Sequence, residues 1–198
     1  MKTQMFRAAQ FKTQAWKNGG GSTLELYKYP DNDQYDLRLS IATVGASGPF
    51  SKFPGYLRTI IQLQGAPMKL RHPLLNNVKT LERLNPYNFD GEWETDCDVT
   101  ELARDFNVIY KKTATAVQTS VQCLETNGTS TLPKQGNKIF VYCLQGAINI
   151  STIGERAVAT VHANELCIID RKVVAEDLAV TANKDGAMVI IVMQSVIS

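Results

Sequence analysis

Histidine is nearly missing from this chain: among 198 residues there are two, His72 and His162. A transition-metal centre needs several imidazole or thiolate donors converging, and one imidazole among carboxylates makes a weak one. Neither histidine has a second two or four positions away, so each reads as a surface or hydrogen-bonded structural residue, and no metal or other cofactor is expected. Cysteine is equally unhelpful to a metal. Cys97, Cys123, Cys143 and Cys167 lie twenty or more residues apart with no C-x-x-C pair, which excludes zinc-ligand spacing and suits reduced, mostly buried thiols.

Long apolar runs are also lacking; none approaches the roughly 20 residues that span a bilayer. The segment Met1 to Gln10 has no signal-peptide apolar core, so a cytoplasmic protein without a membrane role is expected, and the acceptor patterns at Asn127 and Asn149 have no route to glycosylation. Charge of one sign is missing too. The formal net charge is +2 with acids and bases mixed along the chain, which leaves no basic stripe for a phosphate backbone and argues against nucleic acid as a partner.

Helical periodicity is scarce, whereas β-branched and aromatic runs recur at Thr23 to Tyr29, Leu57 to Leu63, Phe106 to Tyr110 and Ile139 to Leu144. Turn clusters punctuate them at 30–33, 46–49, 126–129, 134–137 and 183–186, a pattern that predicts an all-β sandwich or barrel of short strands. A hydrophobic content of 44% is enough for a core. The tetrad Leu-Gln-Gly-Ala occurs twice, starting at Leu63 and at Leu144, each time with an apolar stretch following, Met68 to Leu70 and Ile148 to Ile150. It reads as a β-hairpin repeated in two similar halves.

Three blocks stand out in order: Trp16-Lys-Asn-Gly-Gly-Gly-Ser-Thr-Leu-Glu25; Asp36 to Val44 running into Gly48-Pro-Phe-Ser-Lys-Phe-Pro-Gly55 and Arg58; and Asp105-Phe-Asn-Val-Ile-Tyr-Lys-Lys112. Together they resemble the HutD/Ves family. The resemblance implies a cupin-like fold of two jelly-roll β-barrels forming a bicupin, an association with histidine degradation or stress response, and no established catalytic activity. The whole chain, 1–198, would then be one unit with halves near 1–112 and 113–198, the polar stretch Lys111 to Ala116 marking the passage, and exchanged strands would make the halves hard to separate.

The residues themselves suggest where a ligand would sit. Strand alternation puts Asp36, Arg38 and Ser40 on one face and Leu37, Leu39 and Ile41 on the other. Arg38 and Arg58 adjoin the aromatic turn, and a guanidinium fork matches a carboxylate in bidentate geometry. Phe50 and Phe53 would wall the apolar side while Pro49 and Pro54 stiffen the rim. The alternative for Arg38 is a surface pair with Asp36 or Glu25. Asp105 and Asn107 share one face of their strand; they either orient a ligand or neutralise a buried arginine. The glycine run after Trp16 fails the phosphate-loop pattern and reads as a tight turn that folds Trp16 and Asn18 over a cavity mouth, with simple packing of Trp16 as the alternative.

Ser51 sits in no nucleophile elbow, and Glu92, Glu94, Asp96 and Asp98 read as the solvent face of a strand over Gly91 to Val99. The expectation is a metal-free binding protein for a small carboxylate metabolite, such as formylglutamate or urocanate, with a sensing or regulatory role. Two alternatives stay open: an isomerase or hydrolase using Asp105 as base, and a structural or protein-interaction module. Paired sheet edges make a homodimer reasonable.

Overall fold

The computed structural model describes residues 3–153, 157–171 and 177–197. Among them the chain is almost entirely β, as the sequence predicts. The early strands are β1 (Thr3–Phe6), β2 (Lys12–Ala15), β3 (Gly21–Tyr29), β4 (Leu37–Val44), β5 (Gly48–Pro49) and β6 (Tyr56–Gln64). Then come β7 (Lys69–His72), β8 (Asn77–Thr80), β9 (Tyr87–Asp90), β10 (Asp96–Asp98) and β11 (Ala103–Lys111). The remainder are β12 (Thr115–Leu124), β13 (Thr129–Thr131), β14 (Lys138–Thr152), β15 (Ala157–His162), β16 (Leu166–Asp170) and β17 (Leu178–Val196). Two short 3-10 turns, Ala8–Gln10 and Pro73–Leu75, are the helical elements among the described residues, and no helix there is long and apolar enough to cross a membrane.

Two compact units form, one from 11–115 and one from 1–10 together with 116–198. The first contains a six-stranded sheet in the order β2-β3-β4-β11-β6-β9 and a four-stranded sheet in the order β5-β10-β7-β8. Apolar side chains of both sheets share one core, in which Ala42, Ile60, Phe89 and Ala103 meet Leu70 and Cys97. The alternation of β4 is clean: Ala42 and Val44 join this core from the face that also carries Arg38 and Ser40, while Leu37, Leu39 and Ile41 are buried on the opposite face.

The second unit contains one sheet with the path β1-β16-β14-β17-β12, to which β13 and β15 attach. Its core draws Ile139, Val141 and Cys143 from β14, Cys167 and Ile169 from β16, and Val180, Val189 and Ile191 from β17, with Met5 packed against them. The N-terminal strand therefore belongs with the second half, in register Thr3 to Ile169 and Phe6 to Leu166.

The repeated tetrad has a physical basis and an unexpected outcome. Gly65 and Gly146 both have positive φ, 90° and 79°, and a Cβ on either would lie 2.4 Å from Leu102 O or 2.3 Å from Gly186 O. Each glycine thus lets a neighbouring backbone come closer than any side chain permits. In neither unit does the expected hairpin form. In the first, β6 ends there and β7 joins the other sheet; in the second, β14 runs on through a bulge and keeps pairing with β17, whose register shifts at the same place. The turn expected at 183–186 is likewise absorbed into β17, with Gly186 at φ 71°. Glu92 and Glu94 precede β10 in a turn rather than lying on a strand.

Candidate functional site

All eight sequence-predicted residues border one cavity of about 420 Å³ in the first unit: Trp16, Asn18, Arg38, Phe50, Phe53, Arg58, Asp105 and Asn107. The sheet register explains the convergence. Ile109 of β11 pairs with Arg38 of β4 on one side and Arg58 of β6 on the other, Asn107 pairs with Ser40 and Ile60, and Asp105 with Ala42 and Gln62. Directly opposed residues of a sheet point to the same side, so three strands project one polar cluster from a single face. Lys17, Asn18 and Ser51 are exposed around the mouth, whereas Ser40, Arg58, Asp105 and Asn107 are buried.

Arg58 is the centre of this arrangement, only 5% exposed. Its guanidinium carbon lies 5.2 Å from the ring centre of Phe50, 5.3 Å from Phe53 and 4.8 Å from Phe89. Such contacts are worth about 0.5 to 2 kcal/mol each, the larger figure applying where water is excluded. The two turn phenylalanines, expected as an apolar wall, therefore also cradle the cation. Burial pulls the Arg58 pKa down to about 10, with Asp105 opposing, so it remains cationic at neutral pH. Among the described residues it makes no ion pair. Its Nη2 donates to Asn107 Oδ1 at 2.9 Å and its Nε has no hydrogen-bond partner.

Asp105 is fully buried. Its Oδ1 accepts from Asn107 Nδ2, and its Oδ2 has no partner. Burial raises its carboxyl pKa to about 7, against the lowering influence of Arg58 and of the Asn107 hydrogen bond. Asp105 borders the cavity and lies within the field of the Arg58 charge, with Asn107 bridging the two side chains and no direct ion pair between them.

Arg38 also combines its two readings, since its Nε donates to Glu25 Oε2 at 2.9 Å while its side chain lines the cavity. The Trp16 indole N–H donates to Thr23 Oγ1 at 2.8 Å and the ring packs on the core, while Asn18 Oδ1 accepts from the Gly20 N–H at 3.0 Å. Both residues thus brace the loop that covers the mouth. The aromatic turn is tied down at both ends: the Phe50 N–H donates to Thr95 O at 2.8 Å and the Phe53 N–H to Gly91 O at 2.7 Å. Asp36 does not reach the cavity.

Sequence reasoning passes over Phe89, Ile109 and Thr23. Phe89 arrives because β9 pairs with β6, placing it opposite Arg58; nothing within a few residues of either foretells that. Thr23 lies inside the glycine-rich block and carries a readable signal, being two residues before Glu25 on the same strand.

His72 is a buried structural residue. Its Nδ1 is 3.0 Å from Thr95 Oγ1 and its Nε2 is 3.2 Å from the Tyr87 hydroxyl, with Tyr87, Phe89 and Trp93 packed around the ring. The Thr95 hydroxyl donates to Trp93 O, so Nδ1–H is the donor to Thr95 and Nε2 accepts from Tyr87. Burial lowers its pKa. Among the described residues no group of three or more His, Cys, Asp or Glu side chains could hold a metal ion.

An all-β chain with a polar cavity opening from one sheet face is a cupin-like architecture. A cupin barrel protein from Leptotrichia buccalis shares the fold alone, with a TM-score of 0.55 at 9% identity over 92% of this chain and 95% of its own. The HutD family profile matches residues 8–190, and the chain belongs to that family. An uncharacterized 21.2 kDa protein in the hutC 3' region of Pseudomonas putida is 33% identical over 157 residues, 76% of this chain and 78% of that relative. A conserved protein of unknown function from Pseudomonas aeruginosa PAO1 superposes with a TM-score of 0.87 at 27% identity, over 98% of this chain and 100% of the other. HutD from Pseudomonas fluorescens SBW25, described in a formate condition, gives a TM-score of 0.79 at 26% identity, both chains covered fully.

Proposed function

We propose that the first-unit cavity binds a small carboxylate metabolite and that the protein uses this binding to sense or regulate histidine utilisation or a stress response. The observation that carries the reading is Arg58, a buried guanidinium with an unpartnered Nε beside an open cavity and no ion-paired carboxylate among the described residues. A buried charge left without a counterion is costly, and a ligand carboxylate would relieve that cost. Phe50 and Phe53 suit the carbon skeleton of such a ligand, and Asn18 and Lys17 at the mouth suit an amide or a second carboxylate.

Family membership and the hutC-region relative support a link to histidine breakdown. Formylglutamate and urocanate are the candidate ligands. The test is a thermal-shift screen of these acids against the wild type and Arg58→Ala. A ligand at 100 times its dissociation constant adds about 2.7 kcal/mol of stability. Stabilisation of the wild type and not the variant is expected; no stabilisation by any carboxylate would remove the reading. A turnover assay on whichever acid binds then separates a sensor from an enzyme using Asp105 as base.

A further inference from the structure

The hydrogen-bond order around Asp105 determines where a proton would sit. A guanidinium can only donate, so the Asn107 oxygen must face Arg58 and its NH2 must face Asp105 Oδ1. That occupies Oδ1 as an acceptor and leaves Oδ2, fully buried and without a partner, as the atom that can carry hydrogen. Arg58 Nε is the other unpartnered buried atom of the cavity lining. With Asp105 neutral, both are donors, and two donors are what the two oxygens of one carboxylate require.

The charge balance points the same way. Facing Asp105 are Arg58 from β6, Arg38 from β4, Cys97 from β10 and, at the mouth, Lys17. Arg38 is already neutralised by Glu25 of β3, Lys17 is exposed, and the buried Cys97 thiol is pushed up to about 12, so it stays neutral. One buried cation, Arg58, is left to serve two anions once a carboxylate enters. Two carboxylates sharing one site do not both stay ionised.

We propose that the cavity takes up a carboxylate together with one proton, the carboxylate settling against Arg58 and the proton passing from solvent to Asp105 Oδ2, which becomes an O–H donor. The inference rests on the carboxylate-site reading given above. It makes the site selective for its ligand at lower pH and turns occupancy into a joint report of metabolite and proton.

Titration calorimetry of the full chain with formylglutamate, whose carboxyls stay ionised throughout, tests it. The titration is run in two buffers of different ionisation enthalpy from about pH 6 to about pH 9. The wild type is expected to take up close to one proton per ligand above about pH 7, with affinity falling up to tenfold per pH unit there. Asp105→Asn keeps an N–H donor in place and is expected to show no uptake and a pH-independent affinity. Because that variant could misfold, infrared spectroscopy of the wild type supplies a second readout: a protonated-carboxyl band should grow as ligand is added at alkaline pH. Binding with no proton uptake, flat affinity and no such band overturns the inference and leaves the carboxylate site standing. Failure of formylglutamate, urocanate and glutarate to bind at any pH overturns both.

Discussion

Asp105 is a case of one side chain held against its own preference. In the unfolded chain its carboxyl ionises at an ordinary value, whereas burial in the fold lifts it to about 7. Between those values the native state holds a proton that the unfolded state has released, so stability attributable to Asp105 falls as pH rises from about 4 to about 7 and is level beyond. The loss is on the order of 4 kcal/mol for a shift of this size. The expected outcome is that wild type minus Asp105→Asn, in urea unfolding free energy, declines across that interval; a constant difference would mean that the carboxyl titrates normally. Arg58→Lys is the complementary change. It keeps a charge among three rings but loses the planar fork and the fixed donor to Asn107, so ligand stabilisation should drop at least tenfold while the fold persists, as near-UV circular dichroism would report. Much of this was legible in sequence: the period-two spacing of Arg38 with Ser40 and of Asp105 with Asn107 places each pair on a common face. What was not legible is that Phe89 completes the cradle, because only the pairing of β6 with β9 brings it opposite Arg58.

At the scale of elements, turn chemistry was the less dependable guide. A glycine after polar residues signals reversal when the chain is free to turn, yet Gly146 and Gly186 face one another across β14 and β17, where their positive φ serves bulges inside continuing strands. Neighbouring backbone decides between turn and bulge, and that neighbour is remote in sequence. The same glycines give a prediction. Gly65→Ala and Gly146→Ala each force a Cβ into a facing carbonyl and a left-handed backbone onto a residue that resists it, so each should cost more than about 1 kcal/mol. Gly48→Ala, where a Cβ meets nothing within 4 Å and φ is not positive, should cost far less. Thermal melts of the three variants check the order.

For the molecule as a whole, the sequence reading puts the passage between halves near residues 112 and 113 and expects exchanged strands, and the compact units divide between 115 and 116 with the first ten residues joining the second. The chain passes from one unit to the other at Gln10 to Phe11 and again at Thr115 to Ala116, so each half contains residues from a different stretch than simple bisection gives. A four-residue strand such as Thr3–Phe6 carries too weak a pattern to announce a partner so far along the chain. Removing residues before Gln10 should expose the edge of β16 and uncover the core where Met5 packs. The expected outcome is a lower midpoint in thermal unfolding and self-association in light scattering. An unchanged midpoint would mean that β1 is an ornament of that sheet.

The placement of β1 also bears on the order in which the protein is made. Its partner residues, Leu166 to Ile169, leave the ribosome long after Thr3 to Phe6 have done so, whereas every strand of the cavity-bearing unit has emerged once Thr115 is out. The cavity-bearing half can therefore assemble while synthesis continues, and β1 waits as an unpaired edge until β16 has followed it out.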